Sequence, residues 1–246
     1  MGSSASSSSS NNLADQRPDP VSDYALKIPA FTKLSGKRVI LASNSPRRKE
    51  ILASVGLFPE IIPSTFEEDL PKSEFRGEAS YEYPVETSAR KALEVYQRLV
   101  KESPEDPPDL VIGADTVVVK DEEILEKPSD PTDNLRMLAE LNGSSCQVIS
   151  GVTIVYPILK APGFEVRSLS ERTKVKFADN PTSHLRAYID CGEGMDRAGG
   201  FAIQGRASIL ISSIQGDYNN VVGFPLFSFT SFLDRLVSMG ELELED

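Results

Sequence analysis

The run Leu110-Val111-Ile112-Gly113-Ala114-Asp115-Thr116-Val117-Val118-Val119 constrains this chain more than any other stretch. Apolar side chains occupy both of its alternating faces, so it reads as a strand at the centre of a sheet covered on both sides. Only Asp115-Thr116 interrupts the pattern. A carboxylate in that setting is costly to bury unless a partner or ligand compensates it. Asp115 therefore reads either as a cap on a turn at the strand's end or, the reading we favour, as a metal ligand or general base at a cleft. Gly113 and Ala114, with almost no side chain, are expected to let a ligand approach.

The earlier stretch Val39 to Ala42 has the length of a buried strand and runs into Ser43-Asn44-Ser45-Pro46. Ile51, Leu52 and Val55 then fall at helical spacing, with Pro46 suited to the first helical turn. A strand that turns into a helix through small polar residues leaves free N–H groups aimed at one spot, backed by the positive end of the helix dipole. Ser43 to Ser45 are expected to cap that helix and bond an oxyanion. Arg47, Arg48 and Lys49 crowd the same helix start with cations, which oppose the dipole unless an anion joins them. This is the pattern of a phosphate-binding corner.

Further strands are predicted at residues 60–64, 145–155, 166–177 and 208–214, with 123–128 as a hairpin partner of the central run. Helices are predicted from Pro84 to about Lys101, over Asn134 to Leu141 behind a cap at Asp130 or Thr132, over Thr182 to Tyr188, and over Phe224 to Met239. Strands adjacent in sequence, mixed with helices, indicate an α/β protein with a mixed sheet. Residues 1–24 are rich in Ser, Asn, Pro and Asp and are expected to be a disordered tail, with the ordered domain starting between Tyr24 and Lys37 and its body spanning 37–238.

A net charge of −11 over 246 residues argues against binding a nucleic acid polymer or an anionic membrane, though local cations can still hold a small polyanion. No apolar run approaches the ~20 residues of a membrane span. Two cysteines, Cys146 and Cys191, are too few for a disulfide framework and suggest a reducing, cytoplasmic setting. With His184 as the single histidine, carboxylates, lysines and arginines must carry any chemistry. Glu67, Glu68 and Asp69 form a second carboxylate source that, paired with Asp115, would suit Mg²⁺. Lys127 before Pro128, together with Arg90, Lys91 and Arg48, would neutralise a triphosphate. Near the end, Gly192, Gly194, Gly199, Gly200 and Gly205 fall in one short run whose backbone can approach a flat ligand. Gln204 offers a donor and an acceptor to a base edge, and Phe201 a face for a ring.

Taken in order, these blocks resemble the Maf family of nucleotide pyrophosphatases. The resemblance rests on Ser43-Asn44-Ser45-Pro46-Arg47-Arg48, Gly113-Ala114-Asp115-Thr116, Lys127-Pro128, Ser150-Gly151-Val152-Thr153, the block from Asp196 to Gly205, and Asn220-Val221-Val222-Gly223-Phe224-Pro225-Leu226. It implies an inosine triphosphate pyrophosphatase-like α/β fold, a long curved mixed sheet with two lobes around a cleft. It also implies hydrolysis of a nucleoside triphosphate to monophosphate and pyrophosphate, a divalent metal (Mg²⁺, with Mn²⁺ or Co²⁺ as substitutes) and a homodimer. By position, Ser43, Ser45, Arg47, Arg48 and Lys91 would bind substrate, Asp115, Lys127 and Glu68 would be catalytic, and Asp115 and Glu68 would hold the metal. Gln204 resembles the mark of the dTTP/UTP-cleaving subgroup, where a Glu would suggest 7-methyl-GTP. Two departures stand out: Ser-Thr-Phe-Glu-Glu-Asp replaces the more usual Asp-x-Asp-Glu around Glu68, and the insertion from Pro71 to Tyr83 is similar to the eukaryotic form. Other readings to be weighed are a 7-methyl-GTP or broad modified-nucleotide pyrophosphatase, and a nucleotide-binding regulator of cell division acting through a protein partner.

Overall fold

The structure, a computed structural model, describes residues 17–68, 70–71, 74–75 and 77–244. The strands β1 (Val39–Leu41), β2 (Glu60–Ile61), β3 (Leu110–Lys120), β4 (Glu123–Leu125), β5 (Ser145–Pro157), β6 (Phe164–Phe177) and β7 (Ile211–Gln215) form one seven-stranded sheet. Its order is β2-β1-β3-β5-β6-β7, with β4 against β3. β2, β1 and β3 run parallel, and β3, β5, β6 and β7 follow antiparallel, so the sheet is mixed as expected. Among the described residues seven α-helices accompany it: α1 (Pro29–Leu34), α2 (Pro46–Ser54), α3 (Tyr83–Glu102), α4 (Pro131–Leu141), α5 (Thr182–Asp190), α6 (Tyr218–Val222) and α7 (Leu226–Ser238).

The central run is β3, and its alternation divides the core. Leu110, Ile112 and Ala114 pack with Phe31, Leu52 and Leu233 on one face, while Val111 packs with Ala92, Val95 and Leu99 of α3 on the other. Past the strand's middle the partners change. Val118 joins Leu138, Phe177 and Tyr188, and Val117 and Val119 join Tyr83 and Ile149. Two lobes thus share β3 and β5. On the edge of β3 away from β5, β1 pairs only as far as Ile112 and β4 resumes at Val118. Between them, residues 113–117 carry no strand on that edge, and this break is where the cleft opens.

Several boundaries differ from expectation for physical reasons. Residues 17–24, assigned to the tail, are packed: Arg17 donates to Asp106 Oδ1 at 2.6 Å and Val21 bridges Leu57. The rest of the expected tail, 1–16, lies outside the described residues. Helix α1 was not predicted; it is capped from another element, with Ala30 N–H donating to Asp234 Oδ1 of α7 at 2.7 Å. The strand predicted from Ser208 begins only at Ile211, after a 3₁₀ turn over Arg206–Leu210. There the buried residues Ala207 and Leu210 are three apart and Ile209 points outward, the period of a 3₁₀ turn rather than a strand. Of the two expected caps on α4, Asp130 serves, accepting from Thr132 N–H at 2.7 Å and Asp133 N–H at 2.9 Å. Among the described residues, no helix is long and apolar enough to cross a membrane.

Candidate active site

The corner between β1 and α2 forms one wall of the cleft. Pro46 opens α2 and Ser45 takes the N-cap position, but no side chain caps the helix. This corrects the expected serine cap. Ser43 is instead committed to the arginine below it, its Oγ accepting from Arg48 Nη1 at 2.9 Å and from Ser45 N–H at 3.3 Å. Arg48 also donates through Nε to Gly223 O at 3.0 Å and through Nη2 to Thr116 Oγ1 at 3.4 Å. Three of the five guanidinium donors are thereby spent inside the protein. Burial pushes the Arg48 pKa down, and the charges of Asp115 and Glu68 act against that. Arg47 contrasts with it. It lines the cleft with no ion pair among the described residues, and burial, then Arg197 and Arg48, push its pKa down while Asp196 and Glu50 oppose. A cation crowded by other cations and with no direct ion pair is stabilised by an arriving anion.

Across the break in β3, Asp115 is 7% exposed and Lys91 of α3 is 9% exposed. Lys91 Nζ donates to Asp115 Oδ1 at 2.9 Å and lies 2.7 Å from Glu68 Oε1. The buried carboxylate has its partner, as its cost of burial required. Burial raises the Glu68 pKa, but the Lys91 hydrogen bond and the charges of Lys91, Arg48 and Lys127 outweigh it and hold the group below the usual carboxylate range. Helix α3 reaches Asp115 because the sheet beneath it has no side chains in the way. A Cβ on Gly113 would sit 2.2 Å from Ser88 O, and one on Gly151 2.4 Å from Pro84 O. Gly113 therefore admits a helix and not a ligand, and Ala114 is fully buried in the core, correcting the expectation for both.

The loop that delivers Glu68 is tied to the same helix. Glu94, one turn beyond Lys91, accepts from Ser64 Oγ at 2.8 Å, Thr65 N–H at 3.0 Å and Thr65 Oγ1 at 2.9 Å. Arg98 donates to Glu94 at 2.7 Å and to Pro63 O at 3.1 Å. Burial pushes the Glu94 carboxyl up, yet these donors prevail and hold its pKa at about 2. A depressed folded pKa contributes stability that is fully present above pH 4.5 and is lost as pH falls toward 2. Glu94→Gln is accordingly expected to flatten the acid limb of a plot of Tm against pH across that window. Parallel curves for variant and wild type would remove the clamp from the account. Glu67 is exposed, and Asp69 lies outside the described residues.

The opposite wall comes from β4 and the glycine-rich run. Lys127 pairs with Asp196 Oδ1 at 2.6 Å at the mouth, both well exposed. That hydrogen bond, working against burial and joined by the charges of Lys127, Arg197 and Arg47, holds the Asp196 carboxyl below its usual range. Gln204 is exposed on this wall. Phe201, expected to face a ring, lines the cleft while its ring packs 5.1 Å edge-on from Phe177 in the core behind. Arg90 pairs with Glu86 at 2.7 Å and, like Lys49, does not line the cleft. His184 is exposed on α5, and burial pushes the Cys146 thiol up to about 12.

The cleft measures about 850 Å³ and brings together Ser43, Ser45, Arg47, Arg48, Glu68, Lys91, Asp115, Lys127 and Gln204, every residue that was given a site role from the resemblance. Four contributors were not: Glu94, Asp196 and Arg197, and the Thr116 hydroxyl, which shares a hydrogen with Ser150 Oγ at 2.8 Å and donates to Gly223 O at 3.2 Å. Asp196 and Arg197 open the recognised glycine block, and that was the one clue to two of them.

Cations gathered at an uncapped helix start, facing carboxylates bridged by a buried lysine, line the cleft of this mixed α/β protein. The family described as Maf-like protein matches residues 38–236. The chain belongs to the Maf family, and the mixed sheet with its two lobes agrees with the fold the resemblance implied. It is similar to a dTTP/UTP pyrophosphatase of Schizosaccharomyces pombe, 40% identical over 245 residues that cover 96% of this chain and 100% of the relative. It is similar to a probable bifunctional dTTP/UTP pyrophosphatase/methyltransferase protein of Homo sapiens, 46% identical over 210 residues, covering 85% of this chain and 33% of the relative. A dTTP/UTP pyrophosphatase of Dictyoglomus turgidum is 37% identical over 199 residues, 81% of this chain and 96% of that protein.

Proposed function

We propose that this protein hydrolyses dTTP and UTP to the monophosphate and pyrophosphate. The observation that carries the reading is Lys91 bridging Asp115 and Glu68 directly opposite the uncapped start of α2. The names of the relatives support the substrate class, and a cleft of about 850 Å³ suits a molecule of nucleotide size. Arg47, the free N–H groups of α2 and Lys127 take the phosphate chain. Asp115 accepts a proton from the water that attacks the α-phosphorus, the bridging P–O bond to the β-phosphate breaks, and pyrophosphate leaves. Arg48 and Lys91, fixed by their hydrogen bonds, stabilise the charge that develops.

Asp115 and Glu68 also fit a divalent metal. Among the described residues no group of three or more His, Cys, Asp or Glu side chains converges as a ready cage. Two hard oxygen donors completed by substrate oxygens and water match what Mg²⁺ takes, with Mn²⁺ or Co²⁺ as substitutes. When bound, such an ion polarises the phosphate and neutralises its charge. The proposal further takes the protein as a cytosolic homodimer, on the strength of the family resemblance and of two free cysteines.

Pyrophosphate release with Mg²⁺ from dTTP, UTP, CTP, GTP and 7-methyl-GTP tests this. Preference for dTTP and UTP is expected. Preference for 7-methyl-GTP would keep the chemistry and discard the substrate, and no release from any of them would favour the regulator reading.

A further inference from the structure

Gln204 stands at the tip of a β-turn. Gly205 N–H donates to Ala202 O at 3.0 Å, which makes Ile203 and Gln204 the central pair. Ile203 is buried and Gln204 is exposed into the cleft, where its amide makes no hydrogen bond among the described residues. The turn belongs to a run rich in glycine, so beyond that one bond the local chain does little to hold it still. What holds it lies behind. Ala202 N–H donates to the Tyr188 hydroxyl at 3.2 Å, and Arg206 N–H donates to Glu193 Oε2 at 2.9 Å. The Tyr188 hydroxyl faces the Glu193 carboxylate, and burial together with that charge pushes its pKa up. Glu193 also seats against the turn backbone itself, since a Cβ on Gly205 would lie 2.2 Å from Oε1. Two N–H groups on either side of Gln204 are thus tied to two side chains that touch each other. Neither Tyr188 nor Glu193 lines the cleft.

We propose that Tyr188 and Glu193 form a clamp that fixes the Gln204 amide and so sets base selectivity, both as positioning residues that do not touch substrate. The proposal rests on the reading of Gln204 as the base-contacting residue of the proposed hydrolysis. A fixed amide presents one donor and one acceptor in a set orientation, and a matching base edge pairs with both. A mismatched edge leaves buried polar groups unpaired, which is how a polar pocket discriminates. Once the turn is loosened, the same amide follows any base and discrimination fades. The phosphate-binding corner and Asp115 are on other elements, so the loss falls on KM for the preferred nucleotides more than on kcat.

The test uses the full chain as wild type, Tyr188→Phe, Glu193→Ala, Glu193→Gln and Gln204→Ala, with kcat and KM measured for dTTP, UTP, CTP and GTP. Tyr188→Phe and Glu193→Ala are expected to reduce the wild-type ratio of kcat/KM values between preferred and rejected bases by roughly five- to tenfold, the size of a lost positioning hydrogen bond. Glu193→Gln keeps an acceptor for Arg206 N–H and is expected to recover part of that ratio. If Gln204→Ala loses selectivity and the clamp variants keep it, the clamp is wrong and the reading of Gln204 stands. If Gln204→Ala keeps it as well, both fall together. A uniform loss on all four nucleotides with a lowered Tm would mark the two residues as merely structural. Should Tyr188→Phe not fold, Glu193→Ala at its half-buried position decides the matter.

Discussion

Asp115→Asn is expected to lower kcat for pyrophosphate release by about 10³-fold or more while the protein stays folded. The substitution removes the proposed proton acceptor and one of the two oxygen donors proposed for a metal. It does not strand Lys91, because Glu68 lies 2.7 Å from the same Nζ and keeps the buried ammonium paired. A buried charge left without any partner would cost several kcal/mol; one that keeps a partner costs far less. Kinetics and thermal melting on the same preparation separate the two effects. Turnover within tenfold of wild type would sink the assignment of Asp115, whatever the melting curve shows.

Gly113→Ala carries the largest expected cost in stability. Its new methyl carbon would lie 2.2 Å from Ser88 O, backbone of a helix that cannot yield locally. Either α3 lifts from the sheet or β3 bends. Overpacking of this kind costs about 3 kcal/mol, which corresponds to a fall in Tm of roughly 6–12 °C for a chain of this size. Activity is expected to fall more than stability suggests, since lifting α3 withdraws Lys91 from Asp115 and loosens Glu94 from the loop of Glu68. A variant that melts like wild type would show that α3 is not held by this contact.

The residues of the cleft were legible because each broke a local rule. Asp115 interrupted an apolar strand, Arg47 and Arg48 crowded the wrong end of a helix, and Gln204 sat in a glycine run. The roles of neighbours were less legible, since they depend on contacts between elements. Arg47 and Arg48 look equivalent in the chain, yet one is bonded to Ser43, Thr116 and Gly223 and the other faces the cleft. Gly113 promised room for a ligand, and only the position of α3 shows that the room is taken. Helix α1 is too short to announce itself and depends on Asp234, far along the chain, for a cap. Phe201 could be assigned to a ligand or to the core from the chain, and it does both, lining the cleft and packing on Phe177. The Ser150-to-Thr153 motif, recognisable by resemblance, serves packing: Ser150 meets Thr116, Gly151 admits Pro84, and Thr153 shares a hydrogen with Ser88 at 2.8 Å.

The break on one edge of β3 has a mechanical meaning. On its other side β3 is joined without interruption to β5, from Val111–Val155 to Val119–Gln147, and α3 lies along the back of both. A sheet continuous on one side and cut on the other flexes about the cut, as a notched plate does. Lys127 and Gln204 stand on one side of that cut and Arg47 on the other, while Asp115 and Lys91, joined at 2.9 Å, sit on the strand and helix that the two lobes share. Any displacement of one lobe against the other would therefore change the width of the mouth more than the spacing of Asp115 and Lys91.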